Sequence, residues 1–233
     1  MIFKHFPNFL TLCNLLCGCV GIVAVAQGQL RLGAYLIWAA AAFDFADGLA
    51  ARALKSYSSI GGDLDSLADM VSFGVLPGFI MFQLIGQAAP PEWSLVAYAG
   101  FSIAVFSALR LAIFNVDTRQ KDQFIGLPVP ASALLISSLP LGTAPFFQTL
   151  IGYPAVLTAV VALNSYLMVA PVPLLAFKFS STTWQGNEVK FSFIALSLLL
   201  FLLLKVVAIP IIILAYVLLS IVINNSRKST GHE

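Results

Sequence analysis

Charge is what this 233-residue sequence has least of: 9% of its residues are Asp, Glu, Lys or Arg, against roughly a quarter in soluble domains. That shortage excludes a soluble globular domain, a disordered chain and a collagen-like chain. A basic excess is also missing. The 12 Lys and Arg nearly cancel the 10 Asp and Glu, which excludes a basic nucleic-acid binder, so no nucleic-acid partner is expected. Only three cysteines occur, and Cys13, Cys17 and Cys19 all sit in the first apolar run, so there is no disulfide framework. Their C-x3-C-x-C spacing could in principle hold a soft metal, but inside a lipid-facing helix these residues read as small apolar filler. What the chain does have is 60% hydrophobic residues and a mean hydropathy of +0.96. It reads as a polytopic membrane protein.

A bilayer-crossing helix needs about 20 mostly apolar residues. Eight such runs stand out, at 9–27, 31–54, 65–85, 93–115, 127–148, 154–177, 191–204 and 206–223. The fold class expected is therefore all-α, one integral membrane helix bundle over residues 1–233. A six-helix core (1–178) would carry the active region at 44–69, and a C-terminal helical pair would fill 187–224. Only Lys205 separates the last two runs, which leaves open a re-entrant pair or one long bent helix. The first run resembles a secretory signal in having Lys4 and His5 before it and Ala24-Val25-Ala26 near its end. Its length, and the seven runs that follow, favour a retained helix.

With eight spans and both termini in the cytoplasm, one side of the membrane collects Lys4, Arg52, Lys55, Arg110, Arg119, Lys121, Lys178, Lys190, Arg227 and Lys228. The other side receives only Arg31 and Lys205. Such a bias sets orientation in membrane proteins with short loops. The expected location is a cytoplasmic (inner) membrane.

Asp44, Asp47, Asp63, Asp65 and Asp69 lie within 26 residues and are half of all acidic side chains. A carboxylate inside a span costs a few kcal/mol, so each marks a functional site by default. Several close together also repel one another, and a divalent cation relieves both problems. An Asp47–Arg52 pair at a solvated helix end would explain part of the pattern but leaves Asp44 without a role. Asp44 and Asp47 are three residues apart, and Asp65 and Asp69 four, so each pair shares a helical face. Two antiparallel helices joined by a short loop can bring those faces together, about 15 Å into the membrane from the helix end. Oxygen ligands of this kind suit Mg²⁺ or Mn²⁺, one or two ions, rather than zinc. Gly48, Ala51, Gly61 and Gly62 interrupt the same region, either for close helix packing or to admit a bulky ligand.

Asp44-Phe45-Ala46-Asp47-Gly48-Leu49-Ala50-Ala51-Arg52, eight further residues, and Gly61-x3-Asp65-x3-Asp69 resemble the signature D-x2-D-G-x2-A-R-x8-G-x3-D-x3-D of the CDP-alcohol phosphatidyltransferases. Every specified position is filled. The resemblance implies an enzyme that displaces CMP from a CDP-linked lipid with an alcohol, working as a homodimer among membrane lipids. By the same resemblance Asp44, Asp47, Asp65 and Asp69 bind the divalent ions, and Asp69 is also the general base. Gly48, Ala51 and Gly61 make room for the cytidine nucleotide. Arg52 lies near its phosphates or pairs with a ligand carboxylate. From their residue types and position, Asn8 and Thr11 could donate hydrogen bonds to the nucleotide. Capping of the first helix would explain Asn8 equally well.

Further segments resemble the phosphatidylserine-forming branch of that family: Pro7-Asn8-x-Leu10-Thr11-Leu12-x-Asn14-Leu15, the third run from Leu64 to Gly74, Ala108-Leu109-Arg110-Leu111-Ala112-x-Phe114-Asn115, and Phe124-x-Gly126-Leu127-Pro128-x-Pro130-Ala131. They imply CDP-diacylglycerol and L-serine as substrates. Ile113 departs from the pattern, standing where many relatives have arginine. Arg110 lies inside a span and needs a partner, either an aspartate of the cluster or the acceptor's carboxylate. Asn115, Arg119 and Lys121 follow it as acceptor-binding candidates or as headgroup anchors. A different alcohol, such as glycerol 3-phosphate or inositol phosphate, would keep the chemistry but demand more cations than this chain places in its spans. A divalent-cation transporter would need polar residues continuing to the far side. Spans two and three lack them.

Overall fold

The computed structural model describes residues 5–56, 58–117, 124–175, 183–185 and 187–230, the side chains of residues 124 and 225–230 excepted. Each of the eight apolar runs is helical over much of its length. Helix α1 is Phe6–Ala26 and α2 is Leu30–Ala53. The third run is α3 (Gly61–Asp69), one π-helical segment (Met70–Val75) and α4 (Leu76–Ala88). A 3₁₀ stretch (Pro91–Phe101) leads into α5 (Ser102–Val116). Then come α6 (Val129–Leu141), α7 (Pro145–Ile151), α8 (Pro154–Val169), α9 (Glu188–Leu204) and α10 (Ala208–Thr230). A two-residue antiparallel pairing joins β1 (Phe124–Ile125) to β2 (Pro173–Leu174).

The helices are inside-out by the standards of a soluble bundle. On α1 the buried face carries Thr11, Asn14, Gly18, Gly21 and Val25, while Leu12, Leu16, Val20 and Val23 are exposed. Lipid is as apolar as leucine, so small and polar residues gather where helices touch. Buried hydroxyls and amides find partners across helices: Trp38 Nε1 donates to Ser137 Oγ at 2.8 Å, and Asn164 Nδ2 donates to Ser132 Oγ at 2.6 Å. Phe73, Leu76, Ile80, Met81 and Ile85 run through the centre, so the third run is the core of the bundle.

Gly18 shows how tight that centre is. A Cβ there would collide with the Ser72 Oγ and lie 2.9 Å from the Ser72 Cα and 3.0 Å from its amide nitrogen, so backbone as well as side chain blocks it. Gly18→Ala is expected to push α1 off the π-helical segment and cost about 1–3 kcal/mol. A lower thermal unfolding midpoint in detergent would register it; an unchanged midpoint would show that this packing tolerates a methyl group.

Two runs depart from the sequence expectation. The fifth is not one straight helix, because α6 and α7 meet at a bend of 102°. Pro145 forces Ala144 into extended backbone, and Phe147 packs against Gly142, so the chain turns instead of continuing. The sixth ends at Val169 rather than near residue 177, with Pro171 and Pro173 following; residues 176–180 are outside the described set. At 16 residues α8 is short for a span.

The break at Lys205 is real. Its φ of +51° and ψ of −128° reverse the chain. Phe193 and Tyr216, on opposite sides of the break, stand with ring centroids 6.1 Å apart. In one continuous helix 23 residues would separate them by about 35 Å. Residues 188–224, long enough to count as a single span by length, are therefore an antiparallel hairpin, α9 against α10.

Candidate active site

Helices α1, α2 and α3 build the acidic site. Asp44 and Asp47 come from the C-terminal half of α2, and Asp65 and Asp69 from α3. One carboxylate oxygen from each of Asp44, Asp47 and Asp65 lies within 4.8 Å of the others. Asp44 and Asp65 are within hydrogen-bonding reach of each other. Asp69, one turn beyond Asp65, is not in that trio, but its charge interacts with those of Asp44, Asp65 and Asp47. Asp63 is exposed and outside the cluster.

Two side chains of α1 hold these carboxylates. Thr11 Oγ1 donates to Asp47 Oδ2 at 2.6 Å, and Asn14 Nδ2 donates to Asp69 Oδ1 at 3.2 Å. The Thr11 oxygen also lies 3.1 Å from the Pro7 carbonyl. A hydroxyl has one hydrogen, and the shorter bond to a charged acceptor is the stronger. Ser72 Oγ donates to the Asn14 carbonyl at 2.9 Å, fastening α1 to the π-helical segment. That segment follows Asp69 directly, a placement common for π-bulges at functional sites.

The cluster fits a divalent cation. Among the described residues Asp65 Oδ1 is buried with no hydrogen-bond partner, while like charges crowd around it. A buried anionic oxygen without a donor is costly, and a cation supplies what no donor does.

The nucleotide-site candidates border this cluster. A Cβ on Gly48 would meet only the Arg52 guanidinium, at 4.0 Å, so the backbone there is open, with Arg52 exposed beside it. At Gly61 a Cβ would touch Ser58 and Asn8 at ordinary contact distances. Asn8 donates to Ser58 Oγ at 3.3 Å, so its side chain reaches the α2–α3 loop rather than capping α1, whose N-cap is His5. Ala51 is partly buried on the same turn of α2 as Arg52. Thr11, expected at the nucleotide, is a hydrogen-bond donor to Asp47.

Arg110 is buried in α5, with Nη2 unpartnered among the described residues and its guanidinium 4.8 Å from the Phe114 ring centroid. Its charge interacts with that of Asp69. It lines a cavity of about 210 Å³ with Ile113, Asp117, Ile125, Met168, Val169 and Pro171. Asn115 is tied to α3, donating to Ser66 Oγ at 2.9 Å. Arg119 and Lys121 lie outside the described residues. The sequence alone assigns no role to Asn14, Ser66, Asp117 or Tyr216. For Asn14 a signal exists, a polar side chain three residues after Thr11 in an otherwise apolar helix. The others depend on contacts that no local pattern announces.

A family model for CDP-alcohol phosphatidyltransferases matches residues 4–161. Among curated proteins, the chain is 34% identical over 134 residues to a CDP-diacylglycerol–serine O-phosphatidyltransferase of Helicobacter pylori, covering 56% of this chain and 55% of that protein. The match thus spans about half of that relative's length. It is 29% identical over 176 residues to the protein of the same name from Bacillus subtilis, covering 75% and 92%. An archaetidylserine synthase of Methanothermobacter thermautotrophicus is 33% identical over 138 residues, 58% of each chain.

Proposed function

The chain belongs to the CDP-alcohol phosphatidyltransferase family, and from that premise we propose that it transfers the phosphatidyl group of CDP-diacylglycerol to the hydroxyl of L-serine, releasing CMP. The observation that carries this reading is the convergence of Asp44, Asp47 and Asp65 from two helices. These three, with Asp69 beside them, would hold one or two Mg²⁺ or Mn²⁺ ions, which when bound neutralise the diphosphate and the charge that develops on the leaving CMP. Asp69 accepts the proton of the serine hydroxyl. The serine oxygen then forms a bond to the phosphorus that carries the lipid, and the bond from that phosphorus to the CMP oxygen breaks. Asn14 fixes the Asp69 carboxylate, and Thr11 fixes Asp47, so neither swings during turnover. The open backbone at Gly48 leaves room for the nucleotide, with Arg52, Gly61 and Asn8 at its edge.

Serine is favoured over other alcohols by the cavity at Arg110. An amino acid brings a carboxylate and an ammonium. Arg110 offers a buried guanidinium to the first, and Asp117 also lines the cavity. A phosphorylated alcohol would need a second cation there. The distribution of basic residues supports an active site on the cytoplasmic face, in the inner-leaflet half of the membrane, and the family resemblance supports a homodimer.

The test is a panel of alcohols offered to purified protein with CDP-diacylglycerol and Mg²⁺ or Mn²⁺. Phosphatidylserine should form, with CMP released in equal amount, while glycerol 3-phosphate and inositol phosphate give little product. Product from another alcohol and none from serine would overturn the acceptor assignment.

A further inference from the structure

The matched family region ends at residue 161, and the α9–α10 hairpin beyond it has no part in the chemistry above. One stripe of α10 nevertheless reaches the acceptor cavity through a short piece of backbone. Tyr216, Ser220 and Asn224 are four residues apart and share a helical face. The Tyr216 hydroxyl donates to the Leu175 carbonyl at 2.8 Å, and the Leu175 amide donates to Ser220 Oγ at 3.2 Å. Asn224 Nδ2 donates to the Pro173 carbonyl. Ser220 is fully buried, so these are interior bonds. The opposite side of residues 172–174 is taken by β1 and the glycine after it, with Gly126 donating its amide to the Val172 carbonyl at 2.9 Å. Gly126 has a φ of +76°, and a Cβ there would collide with the Met168 carbonyl, so this junction admits only glycine.

The segment held this way adjoins the lining of the Arg110 cavity without itself lining it. Pro171 and Val169 precede it, Ile125 pairs with Pro173 across from it, and all three line the cavity. Tyr216 also lies within electrostatic range of Arg110 itself.

We propose that the α9–α10 hairpin is a positioning element for the acceptor alcohol, in which Tyr216, Ser220 and Asn224 clamp residues 173–175 and so fix the cavity that seats the acceptor beside Arg110. This rests on the reading that the cavity receives the acceptor. The clamp touches neither the CDP-lipid side of the site nor the aspartates. Loosening it therefore weakens acceptor binding while leaving nucleotide binding and the chemical step in place.

Tyr216→Phe removes one hydroxyl and keeps the ring packed on Phe193. The expected result in purified protein is a KM for serine raised about 3–10-fold, the size of one net hydrogen bond, with kcat, the KM for CDP-diacylglycerol and the thermal midpoint little changed. Asn224→Ala should act in the same direction, and the pair together more strongly. Serine KM unchanged in both single variants would overturn the proposal. So would a parallel loss of kcat, both KM values and thermal midpoint, because that pattern marks a merely structural hairpin. Failure of the underlying reading looks different, since wild-type protein would then make no phosphatidylserine. In that event the same KM comparison is made with whichever alcohol the wild type accepts, and the same outcomes decide it.

Discussion

Asp69→Asn is expected to lower kcat by about 10³-fold while CDP-diacylglycerol binds nearly as well as to the wild type. The substitution is close to isosteric, and the new amide oxygen can still accept the hydrogen bond that Asn14 Nδ2 makes to Oδ1. What disappears is a negative charge and a proton acceptor. The trio of Asp44, Asp47 and Asp65 keeps its oxygens within 4.8 Å of one another, so the groups proposed to hold the ions remain. General bases contribute about 10²–10⁴-fold, and loss of one of the four interacting charges adds to the effect. CMP release under saturating substrate gives kcat, and equilibrium binding of radiolabelled CDP-lipid in nanodiscs gives the affinity. Turnover within tenfold of wild type would remove Asp69 from the role of base. Loss of lipid binding in parallel with turnover would make it a binding residue instead.

Asp65→Asn should have the largest effect on metal dependence. Asp65 is the only member of the trio contributed by α3, and its Oδ1 is buried without a donor. Removing the charge leaves the trio only the two carboxylates of α2, from one helical face. Partners that only orient a metal ligand are worth about 10–100-fold in affinity, and a ligand itself should be worth more. The Mn²⁺ concentration needed for half-maximal activity should rise by at least about 10²-fold. Activity should also be lost when wild-type protein is treated with a chelator, and return on adding the metal back. A chelator-resistant wild type, or an Asp65→Asn protein with an unchanged Mn²⁺ requirement, would contradict the assignment.

Much of this architecture is legible in the residues alone, for physical reasons that differ from one element to the next. The apolar runs are visible because a bilayer imposes length and composition on any helix that crosses it. Lys205 is visible as a break because a lone charge in a long apolar stretch is unlikely at mid-span, and the structure places a chain reversal there. The aspartates are visible because charge is costly in the membrane, and their spacing already puts them in facing pairs. The 102° bend between α6 and α7 was carried by Pro145 and Gly142, residues that membrane helices often tolerate, so the continuous apolar run outweighed them. Asn8 shows the opposite difficulty. Its position near the start of α1 suits a cap, yet its partner is Ser58, 50 residues away.

The clamp from Tyr216 to Leu175 and the tie from Asn115 to Ser66 likewise join residues 41 and 49 positions apart. Periodicity reports which face of a helix is buried, but not which helix it meets. Long-range side-chain bonds therefore emerge only once the bundle is assembled.

The most direct measurement is a titration of the purified protein with Mn²⁺, followed by the loss of the free-ion signal in electron paramagnetic resonance, for wild type and for Asp44→Asn and Asp65→Asn. Saturable binding of one or two ions by the wild type, displaced by Mg²⁺ and largely abolished in both variants, is the outcome that carboxylates converging from α2 and α3 require. Equal binding by all three proteins, or serine-dependent CMP release from a wild type that binds no Mn²⁺ at all, would contradict it.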